Sequence, residues 1–131
     1  MNKQAICNDD FRMKIEELCE NEETIFSLTE RSWHKIESTK LSNNGIGGYK
    51  IRYMSGGFAE VNHQSLWDLY NILWNSDSKR LTNVEMERGG YAKLRWKRWF
   101  TPGSAMLAIL PHVDPQIQVT KNPAGLIIRG D

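Results

Sequence analysis

GYKIRYMSGGFAEVNHQSLWDLYNILW, residues 48–74, changes its hydrophobic period halfway along, and that change decides the fold class. From Gly48 to Met54, Tyr49, Ile51 and Tyr53 alternate with Lys50 and Arg52, the two-residue period of a half-buried strand. Phe58 to Asn62 is a second extended run beyond Ser55-Gly56-Gly57. A three-residue loop of Ser55, Gly56 and Gly57 sets Met54 against Phe58, Arg52 against Glu60 and Ile51 against Val61. From Asn62 or Ser65, either of which can cap a helix, the period lengthens. Leu66, Leu69 and Leu73 form one stripe, and Trp67, Tyr70 and Trp74 another. A helix apolar over most of its circumference is buried on more than one side, so the 64–74 helix is expected inside a curved sheet or at a homodimer interface.

Upstream, Asp9 or Asp10 can cap a helix whose Phe11, Ile15, Leu18 and Cys19 share one face and whose other face is acidic. Thr24 to Glu37 is read as a second helix on the spacing of Ile25, Leu28, Trp33 and Ile36, although Thr24 to Thr29 alone suits a short strand. Lys40 to Gly48 reads as a loop. Downstream, a polar turn over Asn75 to Lys79 leads to a second hairpin, Arg80 to Glu87 and Tyr91 to Phe100. A three-residue loop, Arg88-Gly89-Gly90, there opposes Glu85 to Lys93 and Val84 to Leu94. The apolar run Ala105 to Leu110 is short enough for a strand buried on both faces, and Pro111 to Pro115 turns it. Gln116 to Thr120 and Leu126 to Arg129 close the chain as strands about the turn Asn122 to Gly125.

The expected architecture is α+β in one domain, 1–131: two or three helices packed on a strongly bent antiparallel sheet of about five to seven strands. In element order this resembles the cone-shaped sheet of nuclear-transport-factor-2-like domains. The resemblance implies an internal small-molecule pocket and the option of an enzyme.

With 131 residues, 40% of them hydrophobic and 25% charged, the chain can bury a core without staples. Cys7 and Cys19 both lie near the start, unlike the distributed cysteines of a disulfide scaffold, and are expected as free thiols. The longest apolar run falls far short of a membrane span, so a cytoplasmic protein without a membrane partner is expected. Net charge is only +1 but uneven: residues 1–30 hold three bases against eight acids, and residues 79–100 seven bases against two.

Function is sought first in that basic segment. Arg88 to Thr101, R-G-G-Y-A-K-L-R-W-K-R-W-F-T, is the densest mixture of cations and rings in the chain. Once Glu85 and Glu87 are set against Lys93, the unpaired cations are Lys79, Arg80, Arg95, Lys97 and Arg98, beside Trp99. Cations that follow a phosphate backbone and a ring that stacks on a base make this hairpin end a candidate for RNA or single-stranded DNA. A non-enzymatic binding module is therefore the leading expectation. If an enzyme is present instead, His112 with Asp114, or His63, would supply the base and its orienting carboxylate. A third expectation is a protein-interaction or inhibitor module that engages a basic partner through the acidic first helix. The three histidines lack metal-ligand spacing, so neither metal nor cofactor is expected.

Overall fold

The structure is a computed structural model that describes residues 4–43, 46–76, 78–82, 103–121 and 124–128. The class is α+β, with three helices and seven strands among the described residues, and the strands divide between two antiparallel sheets.

Helix α1, Asn8–Glu20, buries Phe11 and Ile15 and half-buries Leu18 and Cys19, so the expected apolar face is the one used. Its N-cap is Cys7, with no side-chain cap bond, and not Asp9 or Asp10; those two lie in the first turn, where they favour the positive end of the helix dipole. At the other end Glu23 N donates to Leu18 O and Glu22 N to Cys19 O, at 3.1 Å each, with Glu22 in the left-handed region at φ 49°. This is the Schellman closure, with glutamate where glycine is usual.

Residues 24–37 are not a helix. Strand β1, Ile25–Phe26, and strand β2, Trp33–Asn43, flank a turn in which Ser27 N bonds Ser32 O and Glu30 takes φ 61°. The helical spacing joined apolar residues from two strands across that turn. His34 and Ile36 are buried, whereas the intervening Lys35 and Glu37 are more exposed, a strand's alternation. Much of the expected loop at 40–48 is also strand, since β2 continues against strand β3, Ile46–Tyr53, through Leu41↔Gly48, Ser42↔Gly47 and Asn43↔Ile46.

Strand β4, Phe58–Asn62, completes the first sheet in the order β1-β2-β3-β4. The hairpin exists, but in a register two residues from the expected one: Arg52↔Phe58, Ile51↔Ala59, Lys50↔Glu60 and Tyr49↔Val61. Tyr53 N donates to Gly57 O at 2.8 Å, so the three loop residues are Met54, Ser55 and Gly56. Gly56 takes the positive φ, +94°, that the third loop position requires. A shift of two preserves the faces, so Ile51 and Val61 are buried as expected.

Helix α2, His63–Asn75, is capped by Asn62, whose side chain accepts from Ser65 N at 3.1 Å. Leu66, Leu69, Tyr70, Leu73 and Trp74 are buried against β3, β4 and later elements, so one chain consumes most of the apolar circumference.

After the short strand β5, Arg80–Thr82, helix α3 spans Gly103–Val113. The run Ala105 to Leu110 is thus helix, not strand. All six residues are buried, and a helix enclosed on every side shows no amphipathic period to separate it from a core strand. Pro111 lies in the last turn instead of ending the helix, and Asp114 N closes onto Leu110 O at 3.0 Å. Strands β6, Ile117–Thr120, and β7, Gly125–Ile128, then form the second sheet with β5 in the order β5-β7-β6. With a helix at 103–113 and strands at 25–43, the order behind the cone-shaped resemblance is not that of the fold. The buried residues of both sheets and all three helices form one hydrophobic cluster. Among the described residues, no helix is long and apolar enough to cross a membrane.

Candidate nucleic-acid interface

Register assigns the faces of the first sheet. Ile25, His34, Ile36, Tyr49, Ile51 and Val61 point inward and are buried, with α1 against β2 and α2 against β3 and β4. The opposite parity places Phe26 beside Trp33, and Lys35 beside Arg52 beside Phe58, on the outer face. Phe26 and Phe58 are 55% and 51% exposed, and Met54, bonded through its N to Trp33 O, is 51% exposed. A buried environment would remove such rings from water, so their exposure is the unusual observation.

Cations accompany two of these rings. Lys50 Nζ lies 4.2 Å from the centroid of Phe58, reaching it diagonally from β3 to β4, and Lys35 Nζ lies 5.7 Å from that of Trp33. Between them stands Arg52, whose Nε donates to Glu37 Oε2 at 3.1 Å; the side chains are 39% and 44% exposed. The pairing Ile36↔Ile51 is followed by Ser38↔Lys50, so β2 carries one extra residue there, a bulge at Glu37. Trp33 and Phe58 are two strands apart and two residues out of row, about 12 Å at ordinary strand spacing and rise. The face therefore offers two ring-and-ammonium stations with a guanidinium between them. Glu37 and Glu60 are its acids.

Of the residues expected to form a site, Arg95, Lys97, Arg98 and Trp99 lie outside the described residues, as does the hairpin beyond Thr82. Lys79 and Arg80 are described. Lys79 Nζ donates to Trp74 O and lies 6.0 Å from the Trp74 ring centroid, while Arg80 is half-buried, its backbone N donates to Ser76 Oγ at 3.2 Å, and its Nε is buried with no hydrogen-bond partner among the described residues.

His63 and Asp114 are buried and engaged. His63 Nε2 donates to Asn8 Oδ1 at 3.0 Å, leaving Nδ1 to accept from the Tyr49 hydroxyl. Burial, helped by the Arg12 charge, lowers the His63 pKa to about 4, and burial raises that of Tyr49 to about 12. This pair is neutral at pH 7. Asp114, 1% exposed, accepts from the Tyr70 hydroxyl at 2.6 Å and from Gln116 N and Nε2 at 3.0 and 3.1 Å. Tyr70 in turn accepts from Ile6 N at 2.8 Å, and Gln116 Nε2 also reaches Gln4 O, so the carboxylate anchors residues 4–6. Burial, then the bond to Asp114, pushes the Tyr70 phenol upward. His112 sits exposed in the last turn of α3, and not on an extended loop with Asp114.

Asp9, Asp10, Glu16, Glu17 and Glu20 make the outward face of α1 acidic and exposed. Cys7 and Cys19 are free; burial first, then nearby glutamates, raises the Cys19 thiol. Among the described residues, no three His, Cys, Asp or Glu side chains gather to hold a metal ion.

Phe26, Trp33, Lys35, Lys50, Arg52 and Phe58 were not singled out from the sequence as a site. The signal was present, since W-H-K-I-E at 33–37 alternates as a strand with a ring and a cation on one side, but a helical reading of 24–37 scatters those residues. Comparison with known proteins finds no family model that matches the chain and no curated protein or solved structure similar to it.

Proposed function

We propose that the chain is a small non-enzymatic binding domain for single-stranded nucleic acid, RNA or single-stranded DNA, which lies across the outer face of the first sheet. One observation carries the reading: the exposed rings of Phe26 and Phe58 and the half-buried ring of Trp33 share that face with Lys35, Lys50 and Arg52. A base has an apolar face that any such ring can cover, and the phosphate that follows it needs a cation within a few ångströms. A strand of bases over Trp33 and Phe58 finds both. Bases paired inside a duplex do not expose their faces, so single strands are preferred. The basic stretch 79–99 adds to the same attraction if it lies beside the ligand.

Fluorescence anisotropy with labelled oligonucleotides tests this. The full chain should bind a mixed-sequence single strand more tightly than the corresponding duplex, and more weakly as salt rises. Phe58→Ala should weaken binding by roughly ten-fold, since loss of one stacking ring costs about 1–3 kcal/mol. RNA and DNA strands of one sequence show whether the 2′-hydroxyl matters, and Arg95→Ala with Lys97→Ala shows whether the basic segment contributes. Equal affinity of Phe58→Ala and the unaltered chain would remove the reading.

A further inference from the structure

We infer that Arg52 is the phosphate seat of this face, and that Glu37, placed on it by the β2 bulge, is a built-in competitor that the nucleic-acid backbone must displace. The inference rests on the proposed single-strand reading and adds to it a residue that opposes binding. Arg52 is flanked by Lys35 on β2 and Phe58 on β4, midway between the two ring stations, so a strand that stacks on both passes over it. A guanidinium in that position can bind a phosphate with two parallel N–H donors. In the free protein its Nε is held by Glu37 Oε2 at 3.1 Å.

Three features suit this pair to displacement by a polyanion. Glu37 occupies the extra position between Ile36↔Ile51 and Ser38↔Lys50, so its placement depends on a local break in the ladder. Both side chains remain more than a third exposed, so the contact is screened and weak enough for a polyanion to replace. Two cations beside it lie over rings, Lys50 over Phe58 and Lys35 over Trp33, and among the described residues Arg52 alone of the three is held by an acid. Occupancy of Arg52 by phosphate leaves a carboxylate beside the ligand. Glu37 thus lowers affinity for any polyanion and leaves selectivity to the rings, which a bare phosphate chain cannot satisfy.

Glu37→Gln keeps the shape and removes the charge at an exposed position. Binding of a labelled mixed-sequence single strand is measured by anisotropy across a salt series, for the full chain and for Glu37→Gln, Arg52→Gln, the double variant and Phe58→Ala. Glu37→Gln should bind about 2- to 5-fold more tightly, the scale of one exposed charge interaction. Its log–log salt slope should steepen by about one, because Arg52 now neutralises a phosphate it had shared. Arg52→Gln should weaken binding, and the double variant should lose the gain of Glu37→Gln. Polyphosphate, which offers charge without bases, should gain more from Glu37→Gln than the oligonucleotide does. If Phe58→Ala weakens binding but Glu37→Gln leaves affinity and slope unchanged, the single-strand reading stands and this inference is overturned. If Phe58→Ala has no effect, or no strand binds at low salt, both are overturned together.

Discussion

Tyr70 shows how a single hydroxyl can hold a terminus to a core. It accepts from Ile6 N and donates to the buried Asp114, which itself gathers Gln116, so one oxygen links residues 4–6, α2 and the start of β6. Tyr70→Phe keeps the ring among Phe11, Trp67 and Trp74 but leaves the Ile6 amide and one Asp114 oxygen short of a partner. A buried group left unsatisfied costs about 1–3 kcal/mol, so the urea midpoint should fall by that equivalent, and limited proteolysis should open the chain near residue 6. The expectation that Asp114 serves a histidine came from their closeness in sequence, and adjacency along a chain says nothing about which residue from α2 arrives beside them.

At the scale of elements, what separates success from failure is whether a segment meets water on one side. The 48–62 hairpin carries its period openly and α1 shows its apolar face in the same way, while the 63–75 helix, though mostly buried, keeps Gln64, Asp68 and Asn71 along one polar side. Ala105 to Leu110, buried all round, carries no period, and only Ala, Leu and Met, good helix formers, favoured the helix. Residues 24–37 failed for another reason, since a tight turn with Glu30 in a left-handed conformation lies where no glycine announces it. The outer-face site was lost with that segment, because half its members stand on β1 and β2. Glu22 at the end of α1 is a similar case of a non-glycine residue at positive φ. Glu22→Gly should therefore stabilise the fold by about 0.5–1 kcal/mol, read as a higher denaturation midpoint, because the left-handed conformation strains any residue with a Cβ.

Across the whole molecule the core holds two neutral histidines. His34, 3% exposed, has its pKa lowered to about 4 by burial and, secondarily, by His112, and its Nε2 has no hydrogen-bond partner among the described residues. His63 is likewise held at about 4. Unfolded, each titrates near 6.5, so below that pH the unfolded chain takes up protons that the folded one refuses. Stability should be full above neutrality and drain as pH falls from 6.5 towards 4, by at most about 3 kcal/mol per histidine. His34→Leu should flatten roughly half of that dependence in urea titrations run across this range, since it removes one of two comparable groups.

The strand order also sets a timetable for synthesis. In the first sheet, neighbours in space are neighbours in sequence, so β1 to β4 can pair one after another as they leave the ribosome. In the second, β7 lies between β5 and β6 and is the last of the three to be made. Until residue 128 emerges, β5 and β6 share no partner, although α3 can already pack on α1 and β1. A nascent chain that has made β6 but not β7 therefore holds the second sheet unpaired, the interval in which a chaperone would be needed.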